Sequence, residues 1–316
     1  MTELERLKAI AARVAPHVHR TPLISAKSLG TMLGCEVWLK AELLQRTGSY
    51  KPRGILNRLL TLGESARARG VITVSAGNAA QGLAYAAGRL GCKAIAVMPE
   101  NASPAKVQAT RAYGAEVILR GTAKDAFDLA HRLVDERGYV FVSPSDDPDV
   151  IEGHAGIGIE INEDLPDADL VLVQVGAGGL GAGVATGLAA CGSNARIVGV
   201  EPEGANTMWL SVQAGRPVDL SGPPDTIADG LAYPFGGKHT FPVFRDKVER
   251  VVLVPDSAIR EAMLLIMTRA KLYAEPSGAA SLAGLLVHKE LLRPYRKVVC
   301  VVSGGNLDPE RLRELI

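Results

Sequence analysis

Short runs of β-branched and aliphatic residues alternate with stretches of helical period along the chain. The runs at 71–74, 94–97, 116–119, 139–142, 170–175, 196–200, 248–254 and 297–302 predict strands. Between them, 79–90, 104–113, 123–136, 184–190, 256–271 and 278–291 predict helices. Strands separated by one helix each favour parallel pairing, because parallel neighbours need a crossover connection. The pattern therefore predicts an α/β fold with helices layered over mainly parallel sheets.

Two stretches punctuate that alternation. The first, 46–54, carries glycine and proline. The second, 143–148, reads Ser-Pro-Ser-Asp-Asp-Pro, a dense turn cluster. A chain of 316 residues is long enough for two domains. The pattern predicts a small unit over 53–146 and a larger one made of 1–52 and 147–316.

Composition narrows the partners. Lys and Arg total 35 against 34 Asp and Glu, a formal net charge of +1. So balanced a chain has no electrostatic footprint for nucleic acid or an anionic membrane. No stretch reads as a signal core or a spanning helix. The four cysteines, Cys35, Cys92, Cys191 and Cys300, are dispersed and show no metal spacing. They fit a reduced, cytoplasmic protein whose partner is a small molecule.

Two segments carry chemistry. From Val171 the chain runs through an apolar strand into Gly176-Ala177-Gly178-Gly179-Leu180-Gly181, which fits G-x-G-x-x-G, and Glu201 closes the following strand. Glycines there let backbone N–H groups approach a phosphate at the positive end of a helix. The loop alone does not separate a dinucleotide, and hence an NAD-dependent oxidoreductase, from a smaller phosphate compound. The other segment ends in Gly48-Ser49-Tyr50-Lys51-Pro52 and places Lys51 where a helix begins. The positive field at that end favours a neutral amine, the form that attacks carbonyls.

The Lys51 segment resembles the Schiff-base lysine motif of the fold-type-II pyridoxal-phosphate enzymes, in particular the threonine/serine dehydratase and serine racemase family. The resemblance covers essentially the whole chain. Thr21-Pro22-Leu23, the loop from Ser75 to Gly82, Gly176 to Gly179, Thr226 to Gly230, Glu275-Pro276 and Ser303-Gly304-Gly305-Asn306 follow in the family's order. It implies a two-domain fold like that of the tryptophan synthase β subunit, with pyridoxal 5'-phosphate as cofactor. Lys51 would carry the cofactor, with Tyr50 beside it and Asn78 on its ring hydroxyl oxygen. Gly176, Ala177, Gly178, Gly179 and Leu180 would hold the phosphate, and Ser303 and Gly304 would face the pyridine nitrogen. Ser75, Ala76, Gly77, Ala79 and His154 would line the substrate.

The chain departs from the family pattern at several places. Ala79 stands for the usual His, and Ser143-Pro144-Ser145 replaces H-P-[FN]. His154 takes the place of a Gln, and Ala177 interrupts the glycine tetrad. A divalent-cation site, for magnesium or another ion, is implied at Glu201 and Ala205, but Thr207 replaces its aspartate. The activity implied is dehydration and deamination of a threonine- or serine-like β-hydroxy-α-amino acid, by a homodimer or larger homo-oligomer. A racemase of the same family is the alternative.

Overall fold

The computed structural model describes residues 1–292 and 294–316. Ten strands form in chain order: β1 (Leu23–Ser25), β2 (Glu36–Lys40), β3 (Val71–Val74), β4 (Ala94–Met98), β5 (Glu116–Leu119), β6 (Val140–Phe141), β7 (Leu170–Gln174), β8 (Arg196–Pro202), β9 (Arg250–Val254) and β10 (Lys297–Val301). They make two sheets. One has the order β1-β2-β10-β7-β8-β9 and the other β5-β4-β3-β6. Every pairing is parallel except β1 with β2.

The apolar runs explain the layers. β3, β4 and β7 are buried at every residue, as parallel strands covered on both faces must be. The hydrophobic pattern does not mark β1 or β2. β1 is three residues long, and β2 is bounded by the charged Glu36 and Lys40, so neither offers a long apolar run.

The longest described helix, Pro148–Asp164, also lies outside the predicted set. Its glycines, Gly153, Gly156 and Gly158, suggest a loop in sequence. In the fold they serve close packing instead. A Cβ on Gly158 would run into the Val184 carbonyl of helix Gly179–Ala190, and one on Gly187 would run into the Ala155 carbonyl. The two helices approach backbone to backbone.

Parallel strands put their carboxyl ends on one side of a sheet, where α/β proteins bind ligands. β2 leads towards Lys51, β7 into the loop at Gly176 and β10 into Ser303. In the other sheet β3 leads into Ser75 and β6 towards Ser143. Segments far apart in sequence thereby meet.

Candidate active site

Lys51 opens the helix Lys51–Thr61, with Pro52 in its first turn. Its amine donates to the Pro144 carbonyl at 2.8 Å and to Ser145 Oγ at 3.1 Å, and lies 4.9 Å from the centre of the Tyr50 ring. The helix Asn78–Arg89 closes over it: a Cβ on Gly82 would stand 3.1 Å from the Lys51 Cβ. On the other flank Tyr50 N donates to the Ser303 carbonyl at 3.1 Å, and Ser49 pairs with Gly304.

The glycine loop is rigid and outwardly unsatisfied. Gly178 has φ +88°, a left-handed conformation that glycine adopts without strain, and a Cβ there would lie 2.8 Å from Met208 Cε. Thr240 Oγ1 donates to the Ala177 carbonyl at 2.7 Å. Asp146 accepts from the backbone N–H groups of Lys238, His239 and Thr240 at 2.9, 2.7 and 3.1 Å. Among the described residues, no protein acceptor takes the N–H groups of 176–180. Five free donors at the start of helix Gly179–Ala190 are the set a phosphate group takes. A lysine amine and this cradle, bridged by Ser145, fit a cofactor that bears both a phosphate and a carbonyl.

Asn78 Nδ2 donates to Glu275 Oε1 at 2.6 Å, and Asn306 Nδ2 donates to Asn78 Oδ1 at 2.8 Å and to the Thr47 carbonyl at 2.7 Å. The Asn78 amide is thus oriented from both ends. Burial pushes the Glu275 carboxyl up to about 7, with the Asp229 charge adding and the Asn78 bond opposing. Gln174, oriented so that both sides of its amide are satisfied, accepts from the Ser303 hydroxyl and from Ser303 N at 3.1 Å. Ser75, Ala76, Gly77 and Asn78 are half-buried where β3 meets its helix, and Ala79 is buried behind them.

Two of the expected site residues lie fully buried. His154 is 0% exposed. It packs edge-on to Tyr50, with ring centres 4.8 Å apart, and its Nδ1 lies 3.3 Å from the Gly179 carbonyl. Burial, with the Lys51 and Arg53 charges adding, holds its pKa down at about 3. Glu201 is equally buried, and its two oxygens accept from Met208 N at 2.9 Å and Trp209 N at 2.7 Å. It caps the helix Thr207–Ala214, so both of its oxygens are already engaged. Burial raises its carboxyl to about 8. Ala205 is buried nearby, and among the described residues no cluster of three His, Cys, Asp or Glu side chains suits a metal.

Lys40, Glu42 and Arg53 flank the Lys51 turn in sequence. The structure joins them in a buried network. Arg53 Nε lies 2.8 Å from Glu42 and Nη1 lies 2.8 Å from Glu160, while Lys40 Nζ lies 2.6 Å from Glu160 and donates to the Thr21 carbonyl at 2.7 Å. Two cations balance two carboxylates, the condition for burying any of them. The network ties the first turn of the Lys51 helix to β2 and to helix Pro148–Asp164. The approach of Glu160, more than a hundred residues away, left no local signal.

Two mainly parallel sheets, a lysine amine at their carboxyl ends and an unsatisfied glycine cradle define a class of α/β enzyme built around a phosphorylated carbonyl cofactor. The chain belongs to the pyridoxal-phosphate dependent enzyme family, whose profile matches residues 14–304. It is 43% identical to the L-threonine ammonia-lyase of Geobacter sulfurreducens over 96% of this chain and 75% of that protein. The solved structure of a T.th. threonine deaminase, 43% identical, superposes with a TM-score of 0.91 over 96% of this chain and 98% of its own. Maize serine racemase, 35% identical, superposes with a TM-score of 0.94 over 99% and 96%.

Proposed function

We propose that the protein is a pyridoxal-phosphate-dependent ammonia-lyase. Its substrate is a threonine- or serine-like β-hydroxy-α-amino acid, converted to a 2-oxo acid and ammonia. The observation that carries the reading is the meeting of the Lys51 amine with the unsatisfied N–H groups of 176–180, across Ser145. Full-length similarity to threonine ammonia-lyase supports the substrate class.

Bound there, pyridoxal phosphate supplies an electron sink for charge on the substrate's α-carbon. The protein's own groups do the rest. Residues 176–180 would hold the phosphate, Asn78 would meet the ring hydroxyl oxygen, and Ser303, backed by Gln174, would meet the ring nitrogen. Ser75, Ala76 and Gly77 face the substrate, with Ala79 behind them. The Lys51 amine, once free, takes the α-proton as a general base. Glu275 and Asn306 fix the Asn78 amide and need not touch the substrate.

The same reading divides the chain into a small unit, 53–146, and a large one, 1–52 with 147–316. Its support is that β3 to β6 fall within the first and all other strands within the second. We place the protein in the cytoplasm as a homodimer or larger homo-oligomer; no described helix is long and apolar enough to cross a membrane. For a divalent cation the support is the family resemblance at Glu201 and Ala205 alone, and thermal shifts with Mg²⁺ or Mn²⁺ test it.

The decisive experiment is borohydride reduction of the purified protein, peptide mapping, and assay of 2-oxo acid release from L-threonine and L-serine. The expected result is a phosphopyridoxyl group on Lys51 and 2-oxo acid from at least one of them. A colourless protein that releases neither would overturn the reading.

A further inference from the structure

The turn Ser143-Pro144-Ser145 departs from the family's pattern, and it is the turn that holds Lys51. The amine of Lys51 meets two oxygens there, the Pro144 carbonyl at 2.8 Å and Ser145 Oγ at 3.1 Å. The turn is itself fixed on both sides. Ser143 Oγ accepts from Asp146 N at 3.2 Å, and the Asp146 carboxylate is locked by the three backbone N–H groups that begin helix Thr240–Lys247. The Ser145 carbonyl presses on Gly179 so closely that a Cβ there would collide with it. Ser145 is buried, so water does not compete freely for its hydroxyl.

We propose that Ser145 is a positioning residue that holds the Lys51 amine in register with the glycine cradle whenever that amine is free. The inference rests on the reading of Lys51 as the cofactor lysine. A lysine side chain has four rotatable bonds, and a single hydrogen bond leaves its end free to swing. Two acceptors on one rigid turn remove that freedom. They occupy two N–H groups and leave the remaining tetrahedral position of Nζ, which carries a lone pair or a proton, facing away from the turn. The free amine is the species present before the cofactor binds and again after substrate displaces it. One contact therefore serves both loading and turnover. Of the two residues in the family pattern, phenylalanine has no side-chain oxygen to offer and asparagine has an amide oxygen, so the short hydroxyl is a feature of this chain and not a requirement of the fold.

The test uses protein freed of pyridoxal phosphate and compares the parent with Ser145→Ala and Ser145→Thr. Schiff-base formation is followed by stopped-flow absorbance on adding pyridoxal phosphate. Ser145→Ala should slow it about tenfold, the kinetic equivalent of one hydrogen bond. Ser145→Thr, which keeps the hydroxyl, should restore the rate to within about twofold. Pyridoxine 5'-phosphate, which has no aldehyde, should bind the parent and Ser145→Ala with equal affinity, because the cradle is untouched. In turnover, kcat of Ser145→Ala should fall by a similar factor while KM holds. Loading and turnover at the parent's rate would overturn the proposal. Weakened pyridoxine phosphate binding would also overturn it, by showing that the serine acts through the loop. A parent that forms no adduct at Lys51 would sink this inference together with the reading beneath it, whereas a normal parent and a normal Ser145→Ala would sink this one alone.

Discussion

The imidazole of His154 is fully buried, packed on Tyr50 and beside the Gly179 carbonyl. Its pKa falls from 6.5 to about 3 on burial, so the folded protein holds it neutral. The associated stability is fully present above pH 6.5 and is lost as pH falls towards 3, at up to about 1.4 kcal/mol per pH unit. His154→Gln should flatten the acid limb of a plot of unfolding free energy against pH. The same variant should leave the ratio of kcat/KM for threonine and serine within about twofold, since no substrate contact changes. A tenfold change in that ratio would return position 154 to the substrate pocket. At Ala76 the expectation concerns reaction type. Racemisation needs a proton donor on each face of the α-carbon, and Lys51 serves only one of them. A methyl group can neither give nor take a proton. The parent should therefore form almost no D-serine from L-serine. Ala76→Ser should raise D-serine by about 10²-fold, the lower range for one acid–base group. Chiral chromatography beside a pyruvate assay distinguishes the products, and abundant D-serine from the parent would favour the racemase alternative.

Helices Pro148–Asp164 and Gly179–Ala190 are the elements on which the site is mounted. The first carries Glu160 to the network behind Lys51, and the second presents the cradle. Their distance apart is set by Gly158 and Gly187, each opposite a backbone carbonyl of the other helix. Gly187→Ala forces a methyl group into the Ala155 carbonyl, and overpacking of this kind costs about 1–3 kcal/mol. Gly63→Ala, in open space, should move stability by no more than about 0.5 kcal/mol. Urea denaturation of both variants measures the difference. Equal midpoints would mean that the helices part at little cost, and the cradle would then be less rigid than its packing indicates.

At the scale of the whole molecule, segments that follow strands of both sheets meet around Lys51. Among the polar contacts that join the units carrying them, Lys106 pairs with Asp229, and Ser103 Oγ donates to Asp308 at 2.8 Å. The Asp229 side chain is 60% exposed, so the ion pair is worth less than about 1 kcal/mol and is screened by salt. Removing both contacts with Lys106→Ala and Ser103→Ala should lower kcat/KM about three- to fivefold at low ionic strength. The gap from the parent should narrow in high salt. A loss of about 10²-fold or more, insensitive to salt, would mean that one of these side chains meets the substrate directly.

The sequence by itself determined the succession of strands and helices, the parallel sheets, the lysine at the head of its helix and the glycine loop. These are local properties, written in periodicity and in residues a few positions apart. It also ordered the motifs well enough to indicate the family. Only the tertiary structure decided which way the polar side chains face. His154 and Glu201 are polar residues beside functional motifs, and what separates a ligand contact from a buried cap is the element packed over them. The helix Pro148–Asp164 was illegible because its glycines break the helical signal, and their reason lies on a neighbouring helix. Ser145 meets Lys51 from 94 residues away, and Glu275 meets Asn78 from 197. Such meetings are made where parallel strands end together, and no window along the chain contains both partners.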